Sequence, residues 1–466
     1  VLLLFNGCLM LISSLVSFFY KDGVTFEITL SSFLVLSLGA LLMLFGRQYD
    51  KQIQKREGYV IVTLGWMMMT ISGMLPFIFT NSMVDIPSTF FETMSGYTAT
   101  GATILQDIES LPLGILFWRS MTHWIGGMGI IVLAVAILPL LGIGGIQLFS
   151  AEAPGPNNDK LHPRITDTAK RLWLIYVSFT FLEAILLSFA GMSIFDAVNH
   201  AMSTMASGGF STKNNSLAYW NHLPLVHYII ILFMFLAGSN FVLSYFALTG
   251  KFKKVLDDNE FVTFLAFVLI FSFIVFTVIY TSVDLNNSYF DFPQVFGKLE
   301  GSIRHSLFQV LAIITTTGFV TSDYTAWTPF LTVFFFGLMF LGGSAGSTSG
   351  GIKVVRHLLM IKGGILEFKR ALHPNAIIQP RYNGKIVNQE IIGNILAFFI
   401  LYMILFIVGS LVFGFLGLNF ENAIGIAAAT LGNVGPAIGD FGPTGNYSEL
   451  PLSLIHISEP TRLNPI

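Results

Sequence analysis

Charge is scarce in this 466-residue chain: Asp, Glu, Lys and Arg together make up 11%, under half of the roughly 25% usual in a soluble domain. A domain folded in water keeps a charged surface, so water is not the main solvent here. Cysteine is scarcer still. Cys8 stands alone, which excludes an intramolecular disulfide framework and a cysteine-rich metal centre. A formal charge of −2 leaves no basic excess for nucleic acid, and no nucleic-acid partner is expected. Apolar surface is abundant instead. Hydrophobic residues reach 54% and the mean hydropathy is +0.73, more than a protein core accommodates, so the chain is expected to lie in a bilayer with membrane lipids as its neighbours.

Apolar runs near the twenty residues that cross a bilayer predict nine helices, at about 1–19, 28–46, 60–80, 113–141, 172–191, 223–248, 260–281, 329–359 and 390–417. The first lacks a basic n-region and a small-residue cleavage site, so it reads as a retained span. Basic residues gather after every second span: Arg47, Lys51, Lys55 and Arg56; Lys160, Arg164, Lys170 and Arg171; Lys251, Lys253 and Lys254; and seven from Lys353 to Lys385. The intervening segments hold only Lys21, Lys213, Lys298 and Arg304. Translocating such residues is unfavourable, which predicts a cytoplasmic amino terminus. The longest basic loop, Ile361 to Gln389, is also long enough to dock a partner.

Three outward segments and one after the last span resemble one another. They are FFETMSGYTATGAT from Phe90, NHAMSTMASGGFST from Asn199, FQVLAIITTTGFVT from Phe308 and IGIAAATLGNVGPA from Ile424. Aligned on Gly101, Gly209, Gly318 and Gly435, they recur at 108, 109 and 117 residues, an internal repeat. Each unit is a helix, a half-helix too short to cross, a knot of small and hydroxyl residues, and a helix. Such units all point the same way, so four of them fit around an axis along the membrane normal. Non-helical backbone at that depth is tolerated only in protein or beside water, a condition a pore meets. Glycine permits the backbone angles that turn carbonyls inward, and Thr or Ser adds further oxygens, the ligands that replace the water around a monovalent cation.

The strings TATGATIL from Thr98, FWRSMTHWIGGMGIIVLAVAILPLLGIGG from Phe117, SAEAPGP from Ser150, ASGGFST from Ala206, ITTTGF from Ile314 and GGSAGSTSGGIKV from Gly342 resemble the TrkH branch of the Trk/Ktr/HKT potassium-transport superfamily. The resemblance implies an all-α polytopic membrane protein of the bacterial inner (plasma) membrane. It implies four pseudo-symmetric helix, pore helix, helix (M1-P-M2) repeats around one pore, preceded by two extra N-terminal helices. It further implies potassium uptake through a four-glycine selectivity filter, a homodimer, and gating by a cytosolic nucleotide-binding TrkA-like ring. No nucleotide site is expected in this chain. Carried over by position, the filter comprises Ala99, Thr100 and Gly101; Ser207, Gly208 and Gly209; Thr316, Thr317 and Gly318; and Asn433, Val434 and Gly435. The chain divides into extra helices (1–57), pore repeats at 58–149, 150–258 and 259–388, an incomplete repeat at 389–450 whose last pore-lining helix is expected to be missing, and a tail (451–466) outside the family pattern.

Within the eighth span, residues 341–351 carry five glycines and four hydroxyl residues, a composition that disfavours helix at about 1 kcal/mol per glycine. The resemblance makes this an intramembrane gate loop with Gly342, Gly343, Ser344, Gly346, Ser347, Thr348, Ser349 and Gly350. The same stretch formally matches the G-x-S-x-G elbow of serine hydrolases. The strand that such an elbow needs is absent, so no enzyme is expected. Glu92 and Arg119 lie at comparable depth in the first repeat and are expected to form a structural salt bridge, which reversing both charges would restore. Glu183 has no partner legible in the sequence. A strictly coupled symporter of potassium with protons or sodium is the alternative function.

Overall fold

The computed structural model describes residues 1–46, 55–140, 165–285, 296–373 and 379–450. Arg47, Lys51, Lys160, Arg164, the SAEAPGP string and the tail 451–466 lie outside the described residues. Two helices, α1 (Leu2–Tyr20) and α2 (Thr25–Gly46), open the chain as a packed pair. A long helix, a short helix (the pore helix of the expected repeat) and a second long helix then recur. The first unit holds α3 (Lys55–Gly73) with its continuation α4 (Leu75–Phe79), the pore helix α5 (Ile86–Tyr97) and α6 (Leu113–Leu140). The second holds α7 (Ile165–Phe189), the pore helix α8 (Ile194–Met205), α9 (Pro224–Gly238) and α10 (Phe241–Leu248), followed by a short α11 (Phe252–Leu256). The third holds α12 (Asn259–Ser282), the pore helix α13 (Gly297–Ile314), α14 (Pro329–Leu338) and α15 (Val354–Leu372). A hairpin of β1 (Arg381–Tyr382) and β2 (Lys385–Ile386) leads to α16 (Gln389–Phe415) and the fourth pore helix, α17 (Phe420–Gly432).

Among the described residues, six helices are long and apolar enough to cross a membrane singly: Leu2–Tyr20, Thr25–Phe45, Val60–Phe79, Lys170–Phe189, Asn259–Ser282 and Gln389–Phe415. The chain is a multi-pass helical membrane protein. Its long helices turn apolar side chains outward; on α16, Ile400, Ile404, Leu411 and Phe415 are all exposed, a surface that only lipid solvates well. The short helices lie inside, and most of α8 from Ala197 to Met205 is buried. Polar side chains start three of them: Asp85 accepts from Ser88 N, Ser193 from Asp196 N and Asn419 from Asn422 N, each satisfying a helix-end amide.

Two expectations are corrected. The span at 223–248 is not continuous: α9 and α10 meet at 111° across Ser239 and Asn240. The third pore helix has 18 residues, longer than the half-helix read from the sequence.

Candidate functional site

Every pore helix ends in the same backbone figure. Ala99, Ser207, Thr316 and Asn433 take left-handed φ of 51°, 55°, 54° and 60°, and two residues later Gly101, Gly209, Gly318 and Gly435 take 82°, 84°, 71° and 92°. In repeats 1, 2 and 4 the amide between them reaches back five residues, from Thr100 to Ser95 O (3.0 Å), Gly208 to Ser203 O (2.9 Å) and Val434 to Ala429 O (2.9 Å). This is the Schellman way of ending a helix, so each knot is the C-terminal cap of its own pore helix. The partially negative helix ends therefore converge where the knots meet.

The knots form a closed ring. A Cβ built on Gly101 would stand 2.1 Å from Gly208 O, one on Gly209 2.1 Å from Thr317 O, one on Gly318 2.0 Å from Val434 O, and one on Gly435 2.6 Å from Thr100 O. Each glycine presses on the carbonyl of the next repeat, in the order 1, 2, 3, 4 and back to 1. No side chain fits in those gaps. Gly208 replaces the Thr or Val of the other repeats for a separate reason: a Cβ there would lie 2.2 Å from His123 Nδ1. The His123 ring stacks on Phe210 at 3.9 Å, and its Nδ1 lies 2.9 Å from Ser203 Oγ.

Behind the ring, in the first three repeats, the residue nine positions before the glycine ties the pore helix to the returning chain. Glu92 accepts from Ile104 N (2.9 Å) and from Thr103 Oγ1 (3.1 Å). His200 Nε2 lies 2.9 Å from Ser211 Oγ, and Gln309 Nε2 donates to Thr321 Oγ1 at 3.2 Å. In the fourth repeat Ile426 occupies this position within the buried core. Of these residues only Glu92 has a partner legible in the sequence; the repeat alignment itself carried the signal for the others. Arg119 donates to Glu92 Oε1 at 2.6 Å and to Ser211 O at 3.1 Å, with its guanidinium 3.5 Å over the Phe210 ring. It thereby joins repeat 1 to repeat 2. Between the ring and α6 the same two repeats are linked again. Asn214 Nδ2 donates to Asp107 Oδ1 at 3.0 Å, which holds that carboxyl below its ordinary range.

Residues 342–353 form a non-helical loop between α14 and α15, closed at its neck by Gly342 N donating to Ile352 O (2.9 Å) and Val354 N to Gly343 O (3.1 Å). It reaches the ring through the left-handed positions. Thr348 Oγ1 is 2.9 Å from Ser207 Oγ and donates to Met205 O at 2.9 Å, while Gly350 N donates to Thr316 Oγ1 at 2.6 Å. Those contacts explain side chains at sites where glycine would be about 1–2 kcal/mol easier. Ser347 Oγ bonds within the loop, to Ser344 O (2.6 Å). The hydroxyls of Ser344 and Ser349 are buried without a protein partner among the described residues.

The loop also accounts for the bend between α9 and α10. Ser344 N donates to Gly238 O (2.8 Å), Thr348 N to Ala237 O (3.3 Å) and Phe241 N to Gly346 O (3.1 Å). Each interruption satisfies backbone groups that the other leaves open, as buried backbone requires. Asn240, at the bend, caps α10 by accepting from Val242 N at 2.8 Å. The described residues contain no cluster of His, Cys, Asp and Glu able to hold a metal ion.

A family profile for TrkH, a cation transport protein, matches residues 24–456. The chain is 42% identical over 440 residues to the Trk system potassium uptake protein TrkH of Escherichia coli, covering 94% of this chain and 88% of that protein. It is 34% identical over 435 residues to TrkG of the same organism, covering 92% and 87%. The crystal structure of the potassium transporter TrkH from Vibrio parahaemolyticus matches with a TM-score of 0.86 at 34% identity, over 99% of this chain and 94% of that one.

Proposed function

The chain belongs to the TrkH family of cation transport proteins, and from that premise we propose that it takes up potassium through a passage along the axis of the four knots. It is a transporter and not an enzyme. The observation that carries the proposal is the closed cycle of glycine-to-carbonyl contacts, which gathers neutral oxygens from four helix ends around one line. Neutral oxygens in a ring substitute for the hydration shell of a monovalent cation, and four helix C-termini favour a cation over an anion. The potassium ligands are assigned to residues 99–101, 207–209, 316–318 and 433–435.

The loop 342–353 is assigned as the gate, since it bonds to the base of the ring from below. Ser344 and Ser349 supply hydroxyls that a partly hydrated ion can use. Pairing with a second copy and control by a cytosolic nucleotide-binding ring belong to the same proposal, with the nucleotide held by the ring, because this sequence has no glycine-rich phosphate loop. The one-sided distribution of Lys and Arg supports a cytoplasmic amino terminus in a bacterial inner membrane.

Rubidium flux into proteoliposomes tests the proposal. Uptake driven by an inside-negative potential and competed by potassium more than by sodium is expected; no flux would overturn it. The interrupted helices α9/α10 and α14/α15 favour a second reading, a strictly coupled symporter with a binding site between broken helices. Flux that stops when protons and sodium are clamped would establish that reading instead.

A further inference from the structure

The underside of the loop is held by a carboxylate that the transport pathway does not use. Glu260, in the first turn of α12, is 3% exposed. Its Oε1 accepts from Ala345 N at 2.6 Å and from Val355 N at 3.2 Å. One oxygen therefore grips both the descending limb of the loop and the helix that leaves it.

The two residues before Glu260 are bound to the β-hairpin. Asn383 and Gly384 turn that hairpin with φ of 46° and 75°, the left-handed pair of a tight two-residue turn. Asn383 Nδ2 donates to Asp258 Oδ2 (2.8 Å), Asn383 Oδ1 accepts from Asn259 N (2.8 Å), and Asn383 N donates to Asn259 Oδ1 (3.2 Å). The neighbouring Tyr382 is buried and packs in one apolar cluster with Ala345, Val355, Leu359, Val387 and Ile392. The hairpin thus shares one apolar cluster with the loop, and it reaches the carboxylate that anchors the loop through the start of α12. Arg381 and Ile386, on the hairpin's other pair, are exposed.

We propose that Glu260 and the hairpin Arg381–Ile386 form a latch that seats the loop 342–353 under the ring, with Glu260 as a positioning residue and the hairpin as the lever that a force on this face would move. Lifting the hairpin takes Tyr382 away from Ala345 and shifts the first turn of α12. Both changes loosen the hold on Ala345 N and Val355 N. The latch rests on the reading of this loop as the gate.

Its test uses the full chain in proteoliposomes with single-channel recording. Glu260→Ala, which removes the acceptor, and Tyr382→Ala, which empties the cluster, are each expected to raise open probability about tenfold. Unitary conductance and the potassium-to-sodium ratio should stay at the parent values. Glu260→Gln keeps an acceptor oxygen and is expected to stay near the parent. A second measurement needs no transport: Ala345→Cys in a Cys8→Ser background, modified by a membrane-impermeant thiol reagent. Labelling should accelerate when Glu260→Ala or Tyr382→Ala is added. Parent-like gating together with unchanged labelling in those variants overturns the latch while leaving the pore intact. A parent without selective flux overturns the transport reading, and labelling then still decides the latch.

Discussion

Thr100 Oγ1 donates to Asn433 Oδ1 at 2.5 Å across 333 residues of chain. The Asn433 amide also donates to the carbonyls of Thr98 (3.1 Å) and Ala99 (3.0 Å). One side chain thus fastens the last knot to the first, at the seam where a ring made from a single chain has to close. Asn combines a donor and an acceptor with tolerance of left-handed backbone, the combination this seam uses.

Replacing Asn433 separates the two properties. Asn433→Gly keeps the backbone angle and loses all three bonds; Asn433→Ala loses the bonds and adds strain. Both are expected to lower the potassium-to-sodium permeability ratio, and Asn433→Ala to cost a further ~1 kcal/mol of stability. Bi-ionic reversal potentials and thermal unfolding check this. An unchanged ratio in Asn433→Gly would mean that the seam closes without the side chain.

Two adjacent glycines are expected to fail differently. Gly209→Ala drives a methyl against Thr317 O, which belongs to the ring itself, so flux is lost and no second change restores it. Gly208→Ala drives a methyl against His123, at an overpacking cost of about 1–3 kcal/mol. Adding His123→Ala to Gly208→Ala is therefore expected to recover part of the lost Tm. Absence of any recovery would refute the assignment of His123 as the obstacle.

Arg119→Ala leaves Glu92 charged and buried without its cation, an expected loss of about 3–5 kcal/mol. Reversing both charges, which the sequence alone favoured as a rescue, is now expected to fail. Glu92 must also accept from Ile104 N and Thr103 Oγ1, and a guanidinium accepts nothing. Thermal unfolding of the single and double variants in detergent decides the point; full recovery in the swap would show that charge complementarity alone matters.

The first extra helix supports the first pore helix through Asn6, which is fully buried. Its Oδ1 accepts from Tyr97 Oη at 2.6 Å, and its Nδ2 donates to Ser72 Oγ at 2.8 Å. Asn6→Ala strands both partners, an expected loss of about 1–3 kcal/mol. Thermal unfolding together with rubidium flux checks it, and a variant as stable as the parent would separate α1 from the pore.

The sequence by itself determined the solvent, the spans and the repeat. Bilayer solvation needs continuous apolar length, and four knots at near-constant spacing leave a periodic trace in composition. Most long helices fell within a few residues of their expected places for that reason, as did the interruption before α15, where five glycines announce themselves. Glu92 and Arg119 were legible because charge inside a span is rare. The bend at Ser239 and Asn240 was not legible, because an apolar run with one small polar interruption reads as continuous; the break is stable only because the loop from the next repeat satisfies it. Glu260 was equally hidden, since a carboxylate at the start of a span looks like a solvated helix end until Ala345 and Val355 are brought to it. Which knot touches which, why Gly208 has no side chain, and how the loop is held are decided by contacts between residues far apart in the chain, and such contacts exist only once the repeats have packed around one axis.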